Sequence, residues 1–289
     1  MRILNYGSMN LDYVYQVPHI LRGGETLAAS QREIFFGGKG LNQSIALARA
    51  GAKVCHAGCI GEDGTEMRDY LSQNGVDTSY ISVAESSSGH TIIQVDDSAQ
   101  NCILLWGGAN RRQTRDQIDR VLENFGKGDF LLLQNEINEI PYIMEQAHRR
   151  GLRIALNPSP IDEQLMHFPL ELADYLLLNE IEGNAFTDEE KPERILEKLQ
   201  QKYPRMKILL TLGGDGCMYW DGSRIYRQGI YPVEAVDTTA AGDTFTGYFL
   251  AGILEGRPTE EILRRSAKAA GIAVSRQGAA PSIPTADEL

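Results

Sequence analysis

An aspartate directly follows three small residues near the C-terminal end of the chain, in the stretch DTTAAGDTFTGYF (237–249). Ala240, Ala241 and Gly242 let backbone N–H groups come close to a ligand, and the start of a helix adds unpaired N–H groups and a positive dipole end. This combination predicts an anion site suited to a phosphoryl group in transfer. Asp243 would then accept the proton of a hydroxyl that attacks phosphorus. The alternative is that Asp243 only caps the helix.

A second candidate site is the glycine-rich stretch FFGGKGLNQSIALARAGA (35–52). Its glycines, Gly38 among them, predict a tight turn before a helix, and bare backbone flanked by Lys39 and Asn42 suits hydrogen bonding to a small polyhydroxylated ligand. The P-loop spacing G-x-x-x-x-G-K-[ST] does not occur in the sequence. The alternative is a turn that serves only packing.

Polar residues also stand at the ends of predicted strands. In GSMNLDYV, Asn10 and Asp12 lie two apart on one face of an extended segment, although they could simply cap a loop. The later strand ends carry Glu136, Asn157, Asn179, Thr211 and Gly213. The ends of parallel strands meet in the crevice where open α/β sheets bind ligands. Taken alone, Glu182 is expected to be a solvated helix residue rather than a metal partner.

Predicted helices and strands, which must position these residues, alternate from about residue 112 onward. TRDQIDRVLENFG (114–126) begins with a T-x-x-Q capping box and predicts a helix that ends at Gly126. DFLLLQN follows as a continuous apolar run, which is typical of a strand buried on both faces. Further helices are predicted from Pro141 and from Pro192. This alternation predicts a mostly parallel sheet with helices on both faces.

The first third of the chain differs, because several of its strand signals follow one another without the same alternation. LDYVYQV, LAASQREIFFGG, GHTIIQVDD and NCILLWGG predict a small, mainly antiparallel lid built from about residues 11–36 and 88–107. With no low-complexity linker or internal repeat, we expect one domain over residues 1–289.

Composition narrows the classes of function. The chain has 289 residues and a formal charge of -11 without a basic run, which argues against nucleic acid or an anionic membrane as partner. No apolar stretch is long enough for a bilayer, and no export signal is evident, so we expect a cytoplasmic protein. The four cysteines contain no C-x-x-C pair, and Cys55 with Cys59 lacks a second ligand cluster, so reduced thiols are expected rather than a metal site.

Two motifs in this order, GGKGLNQSIALARAGA with GCIGEDG after it and DTTAAGDTFTGYFLAGI, resemble the ribokinase family of phosphofructokinase-B-type sugar kinases. The resemblance covers essentially the whole chain. WGGAN, LNPSP and LNEIE are similar to the family members that act on ribose. The family implies a central, mostly parallel sheet flanked by helices, with a small β lid. It also implies ATP-dependent phosphorylation of the primary hydroxyl of D-ribose and dimers formed through the lids.

The resemblance implies roles for individual residues. Asp243 would be the base, with the anion hole supplied by Ala240, Ala241 and Gly242. The sugar-binding set would be Asn10, Asp12, Gly38, Lys39, Asn42, Glu136 and Asp243. The ATP-binding set would be Asn179, Thr211, Gly213 and Gly216. Glu182 would hold Mg²⁺ through water, and K⁺ would be held by Asp237, Thr239, Ala273, Arg276, Gly278 and Ser282.

One residue departs from the commoner family motif, and two alternatives stay open. Ala240 stands where Gly-Ala-Gly-Asp is usual, a form that resembles the ribose-type members. A related kinase could use fructose, a keto-deoxy sugar acid or a nucleoside, and an acid would call for an arginine near the lid, such as Arg32, Arg111 or Arg112. The other alternative is a sugar- or nucleotide-binding regulator without catalysis.

Overall fold

The larger of two sheets has nine strands, in a computed structural model that describes residues 1–98 and 100–289. The strands are β1 (Ile3–Tyr6), β4 (Val54–Ile60), β5 (Asp77–Val83), β8 (Phe130–Gln134), β9 (Arg153–Asn157), β10 (Tyr175–Asn179), β11 (Lys207–Thr211), β12 (Cys217–Trp220) and β13 (Ile225–Gln228). Their order is β13-β12-β11-β10-β9-β8-β1-β4-β5. All pairings from β11 to β5 are parallel, whereas β12 and β13 pair antiparallel at one edge. The predicted mostly parallel sheet is confirmed.

Eight α-helices cover the two faces of this sheet in the described part of the chain. They are α1 (Lys39–Arg49), α2 (Thr65–Gln73), α3 (Arg115–Leu122), α4 (Ile140–Arg149), α5 (Glu180–Thr187), α6 (Pro192–Lys202), α7 (Ala241–Glu255) and α8 (Thr259–Val274). One core contains residues of α1, α2, α7 and α8, and a second core contains residues of α3 to α6. Ile3 and Leu4 of β1 are both fully buried but lie in different cores, because successive side chains of a strand point to opposite faces. None of these helices combines the length and apolar character needed to cross a bilayer.

The capping box predicted for α3 is present, but the helix is shorter than expected. The Thr114 hydroxyl accepts a hydrogen bond from the Gln117 N–H, and the Gln117 side chain accepts one from the Thr114 N–H. The α-helix ends at Leu122 rather than near Gly126. The Glu123 N–H still bonds back four positions, to Asp119, but those of Asn124 and Phe125 bond back only three, to Val121 and Leu122 (both 3.1 Å), so the last turn tightens.

The smaller sheet, called the lid sheet below, consists of β2 (Asn10–Gln16), β3 (Gln31–Gly37), β6 (Gly89–Val95) and β7 (Asn101–Trp106). Its order is β3-β2-β6-β7, with antiparallel outer pairs and a parallel central pair. The central pair is parallel because the chain runs through α1, β4, α2 and β5 of the large sheet between β3 and β6.

Helices α1 and α7 pack unusually closely. A Cβ at Gly247 in α7 would overlap the Cβ of Ala46 in α1 and lie 2.8 Å from the backbone N of Leu47. Only a residue without a side chain allows this approach. The contact sets the distance between the first turns of the two helices, which carry most of the candidate site.

Candidate active site

The start of α7 is open to a ligand. Ala240 takes the left-handed conformation (φ 61°) just before the helix, and no side chain caps the helix. A Cβ at Gly242 would meet nothing within 4 Å, so the backbone there faces free space. Asp243 follows with 8% of its surface exposed, and its side chain points to α1 instead of capping α7. The capping alternative for Asp243 is therefore wrong.

Two side-chain amides of α1 hold the Asp243 carboxylate. Asn42 Nδ2 donates to Oδ2 at 3.0 Å, and Gln43 Nε2 donates to Oδ1 at 2.8 Å. Both donors are uncharged, and each carboxylate oxygen keeps a lone pair for another partner. The orientation of the carboxylate is thus fixed by two uncharged hydrogen-bond donors.

The turn before α1 depends on glycine. Gly38 has a φ of 92°, and a Cβ there would lie 3.2 Å from the backbone O of Ser8 and the backbone N of Asn10. The Leu41 N–H donates to the Ser8 carbonyl at 2.9 Å. The first turn of α1 therefore lies directly against the link between β1 and β2, as the predicted tight turn requires.

Lys39 lies among carboxylates at this turn. Its backbone N–H donates to Glu136 Oε2 at 3.0 Å, and the Ser8 hydroxyl donates to the same oxygen. Burial alone would lower the pKa of the Lys39 ammonium, but the surrounding carboxylates, Asp243 above all, outweigh it and raise this pKa above its usual value. Burial raises the pKa of Glu136, and the charge of Lys39 opposes that effect. Lys39 therefore stays cationic beside the start of α7.

Asn10 and Asp12 lie in the first half of β2, on the lid sheet. Asp12 accepts a hydrogen bond from the Thr91 hydroxyl at 2.5 Å, and burial raises the pKa of Asp12 to about 6. Asn10 is buried, and its Oδ1 accepts a hydrogen bond from Asn110 Nδ2 at 2.7 Å. Because that oxygen is engaged, the free part of the Asn10 amide is its donor group.

Two cavities meet at the start of α7. The first has a volume of about 250 Å³ and is lined by Lys39, Asn179, Glu182 and Asp243 among others. The second has a volume of about 390 Å³ and a mostly apolar lining, with Gly213, Gly216, Tyr231, Val233 and Phe245 among its residues. Both are lined by Thr211, Thr238, Ala241 and Gly242. The small residues before Asp243 therefore separate a polar compartment from an apolar one.

Glu182 is not the solvated helix residue that was expected. Only 7% of its surface is exposed. Its Oε2 accepts a hydrogen bond from the Asn179 N–H (3.0 Å), and the Asn179 side chain accepts one from the Glu182 N–H (2.9 Å), a capping box at the start of α5. The carboxylate lines the polar cavity, so the cap also places a negative charge there.

The two segments that carry the expected K⁺ ligands lie side by side. Asp237 accepts hydrogen bonds from the N–H groups of Thr239 (2.8 Å) and Gly278 (3.0 Å). Burial alone would raise the pKa of Asp237, but these hydrogen bonds lower it below its usual value. The second segment also carries the other residues of this set, Ala273, Arg276 and Ser282. The Arg276 side chain itself pairs with Glu288, which leaves only its backbone for such a role.

Three contacts of the site were not foreseen from the sequence: Gln43 with Asp243, Ser8 with Glu136, and Asn110 with Asn10. The only available signal was position. Gln43 directly follows Asn42 at the predicted helix start, but that does not reveal a partner so distant in the chain.

The three arginines that could bind an acidic sugar do not line the two cavities. Arg32 and Arg112 are exposed, and Arg111 donates to the Ile137 carbonyl at 2.9 Å. Among the described residues, no arginine lines either cavity. Cys55 and Cys59 are buried thiols, and no group of three or more His, Cys, Asp or Glu side chains within 1–98 and 100–289 is arranged to hold a metal ion.

Comparison with known proteins gives one consistent result. Residues 2–286 match the family described as pfkB family carbohydrate kinase. The ribokinase of Haemophilus influenzae is 36% identical over 98% of this chain and 95% of its own length, and that of Bacillus subtilis is 34% identical over 98% and 96%. The structure of Arabidopsis thaliana ribokinase complexed with ribose and ATP superposes with a TM-score of 0.87 at 29% identity, covering 99% of this chain and 96% of that one.

Proposed function

Because this chain belongs to the pfkB family of carbohydrate kinases, we propose that it transfers the γ-phosphoryl group of ATP to the primary hydroxyl of D-ribose, giving ribose 5-phosphate. The observation that carries the proposal is the position of Asp243, which two amides hold in the polar cavity at an uncapped helix start. The small residues just before it, Ala241 and Gly242, line both this cavity and the apolar one. The ribokinases described above, including one complexed with ribose and ATP, support ribose as the acceptor.

Asp243 would accept the proton of the attacking hydroxyl as the bond to phosphorus forms. The N–H groups of Ala241 and Gly242, at the positive end of the α7 dipole, would hold the transferred group together with Ala240 before them. Lys39 adds a positive charge to the same cavity. Catalysis is then positioning and electrostatic stabilisation, with direct transfer to the sugar.

The sugar would lie between α1 and the lid sheet. Asp12 and Glu136 offer acceptors to its hydroxyl groups, whereas Asn10 and Asn42 offer amide groups, and Gly38 allows close approach of backbone. The residues proposed to bind the sugar include carboxylates and amides but no arginine, and the guanidinium of Arg111 is bonded to the Ile137 carbonyl. This set suits a neutral sugar better than a sugar acid or a sugar phosphate.

ATP would place its base in the apolar cavity and its phosphates toward Gly242. The walls of that cavity include Thr211, Gly213 and Gly216, and Asn179 lines the neighbouring polar cavity. Gly213 and Gly216 both have positive φ (50° and 93°), so the turn they form exposes backbone rather than side chains to the nucleotide.

The residues present also fit Mg²⁺ bound with ATP. Glu182 supplies one carboxylate to the polar cavity, and Mg²⁺ commonly binds through one or two carboxylates, water and substrate phosphates. Glu182 would hold the ion through water, and the ion would neutralise charge on the phosphates.

K⁺ would be held beside the anion site by Asp237 and Ser282 with backbone oxygens of Thr239, Ala273, Arg276 and Gly278. The hydrogen bonds of Asp237 to both segments support this assignment, because they keep its carboxylate charged and the segments together. The cation would stiffen the loop that leads into α7.

The lid sheet, with residues 11–36 and 88–107 in a single domain over 1–289, would close over the sugar and pair with the lid of a second copy. Ile34, Ile92 and Leu104 share one row across the sheet through Tyr13, and all three are exposed. They lie on the face opposite to Asp12. An exposed apolar face of this kind favours burial in a homodimer.

The enzyme would act in the cytoplasm. The use of ATP as substrate fits this location, and so do the cysteines, which are free thiols.

The test is ADP release from ATP with Mg²⁺ and K⁺ across a panel of ribose, fructose, keto-deoxygluconate, adenosine and pseudouridine. Turnover with ribose far above the other acceptors is the expected result. Higher kcat/KM with another acceptor would keep the chemistry and reject ribose. Sugar binding without ADP release would favour the non-catalytic regulator instead.

A further inference from the structure

Behind Asp243 lies a chain of fully buried side-chain amides that the proposed chemistry does not use. It consists of Gln43 in α1, Gln134 at the end of β8 and Asn5 in β1. Gln43 Nε2 donates to Asp243 Oδ1 at 2.8 Å, and Gln43 Oε1 accepts from Gln134 Nε2 at 2.7 Å. Gln134 Nε2 also donates to Asn5 Oδ1 at 3.0 Å. Three separate elements thus connect to the carboxylate through one set of hydrogen bonds.

The direction of this chain is set by a backbone carbonyl. Asn5 Nδ2 donates to the Gly40 carbonyl at 2.7 Å, and a carbonyl can only accept. Asn5 must therefore direct its Oδ1 toward Gln134. Since that oxygen can only accept, Gln134 must direct its amide N–H group toward Asn5. The same donor group faces Gln43, so Gln43 must present Oε1 to Gln134. The N–H of Gln43 is then the only group left for Asp243.

We propose that Gln134 and Asn5 are positioning residues that act through Gln43 to keep a hydrogen-bond donor directed at the Asp243 carboxylate. The inference rests on the proposed role of Asp243 as base. Without Gln134, the Gln43 amide could rotate and present its oxygen to Asp243, because the two ends of a glutamine amide have almost the same shape. An oxygen facing the carboxylate would repel it and displace it from the attacking hydroxyl, and displacements of about 1 Å can cost about 10²-fold in rate.

The hydrogen bonds of Gln134 support this role, because only its donor group has partners in the described part of the chain. Its Oε1 is buried and accepts no hydrogen bond from the described residues. A Cβ at Gly7 would overlap this oxygen, so the amide lies tightly against the backbone after β1. The favourable contacts of Gln134 are thus the two that its donor group makes to Gln43 and Asn5.

The first test reads the amide directly and needs no turnover. The side-chain ¹⁵N–H signals of Gln43 are assigned by their loss in Gln43→Leu. We expect them to shift both in Asp243→Asn and in Gln134→Leu. The control is Gln113→Leu, which removes another buried glutamine, one that accepts hydrogen bonds from Tyr6 and Cys59 instead. Gln43 signals that stay in place in Gln134→Leu, or that shift equally in the control, overturn the proposal.

The second test is a double-mutant cycle on turnover. Gln43→Leu should lower kcat by about 10- to 100-fold with the KM for sugar within about threefold. Gln134→Leu should lower kcat less, and the double variant should match Gln43→Leu, since Gln134 acts only through Gln43. Additive losses, or losses in KM rather than kcat, overturn the proposal. A wild-type protein without turnover on any acceptor would reject the proposed function, whereas the ¹⁵N–H result would still decide whether the chain positions Asp243.

Discussion

The side-chain amide of Asn42 in α1 donates a hydrogen bond of 3.0 Å to the carboxylate of Asp243 in α7. The contact connects two parts of the site: the first turn of α1, which is proposed to bind the sugar, and Asp243, which is proposed to activate the sugar hydroxyl. A hydroxyl held by Asn42 would therefore lie close to the base, without a separate element to bring the two together. In the proposed mechanism, binding and proton transfer thus depend on two side chains in direct contact, and the predictions below separate them.

Replacing Asp243, the proposed base, should remove phosphoryl transfer and keep sugar binding. Asp243→Asn keeps the shape of the side chain but not its charge, so we expect kcat to fall by about 10²–10⁴-fold with sugar affinity largely retained. Steady-state kinetics and calorimetric sugar titration measure the two effects. Asp129→Asn serves as the control and should retain kcat, because Asp129 contacts Arg2 at the amino ends of β8 and β1, opposite to the strand ends that carry the site. Near-wild-type turnover in Asp243→Asn would exclude this residue as the base.

Asp12 should link stability to pH with a definite sign. Its pKa is raised from 3.8 to about 6 by burial, so the folded protein binds this proton more tightly than the unfolded chain. The contribution of Asp12 to the free energy of unfolding is therefore present below about pH 4 and is lost as the pH rises through about 6. Asp12→Asn removes this dependence, so the variant should gain in Tm relative to wild type between pH 4.5 and 7.5.

The same substitution should weaken sugar binding by about tenfold at pH 7.5, because a charged acceptor is replaced by a neutral amide. Thermal melts at both pH values and sugar titrations check the two parts. A Tm difference that does not change with pH would contradict the assigned effect of burial.

The close contact of α1 and α7 can be tested with two glycines of the same helix. Gly247→Ala should push α1 away and cost about 1–3 kcal/mol of stability, with a clear loss of kcat. Gly252→Ala is the matched control: a Cβ there would lie 2.8 Å from the side chain of Ile262 in α8 and would meet Ile262 rather than α1. It should lower Tm and spare kcat. Equal kcat losses in both variants would show a general loss of packing instead.

Potassium should stimulate the enzyme. With saturating ATP, Mg²⁺ and ribose, we expect higher kcat in K⁺ than in Na⁺ or Li⁺. Asp237→Asn should flatten this preference, because it removes the charge that links the two cation segments. Asp221→Asn changes a partly buried turn aspartate that accepts hydrogen bonds from Ser223, and it should leave the preference intact. Identical rates in the three salts would reject the cation site.

The exposed face of the lid sheet should control assembly. Leu104→Lys places a charge in the row of Ile34 and Ile92 and should convert a dimer into monomers, as measured by sedimentation velocity. Ile225→Lys charges another exposed apolar residue, on β13 outside the lid sheet, and should leave the dimer intact. A wild-type protein that sediments as a monomer at micromolar concentration contradicts the proposed interface.

The main sheet was predictable from the sequence because buried parallel strands appear as continuous apolar runs. Leu131, Leu132 and Leu133 are all fully buried and pair in parallel with their neighbours, as such a run indicates. The lid sheet was harder, because the parallel pairing of β2 with β6 depends on where the intervening chain is placed and not on either strand.

The site was predictable where backbone chemistry determines it and not where tertiary contacts do. Small residues before Asp243 and glycines before Lys39 are visible in the sequence, and both mark helix starts in the structure. The burial of Gln43 was not visible, because a glutamine near the start of a helix is typical of an exposed position. Gln134 ends the apolar run DFLLLQN, but the run does not reveal that its amide contacts Gln43. Glu182 was wrongly expected to be solvated. A charged residue in a helix is usually exposed, but its carboxylate is bonded to the backbone N–H of Asn179 at the helix start.

The contact between α1 and α7 also has a consequence for how the protein is made. Asn42 and Asp243 are 201 positions apart, so the donor leaves the ribosome long before the base exists. Domains form mainly from the N-terminal end during synthesis, and contacts this distant in sequence close late. A nascent or prematurely terminated chain that stops before α7 holds the glycine turn and the lid but lacks the base. If Asp243 is the base, as proposed, phosphoryl transfer begins only after the last third of the polypeptide has packed against the first. A partly folded chain would then consume no ATP.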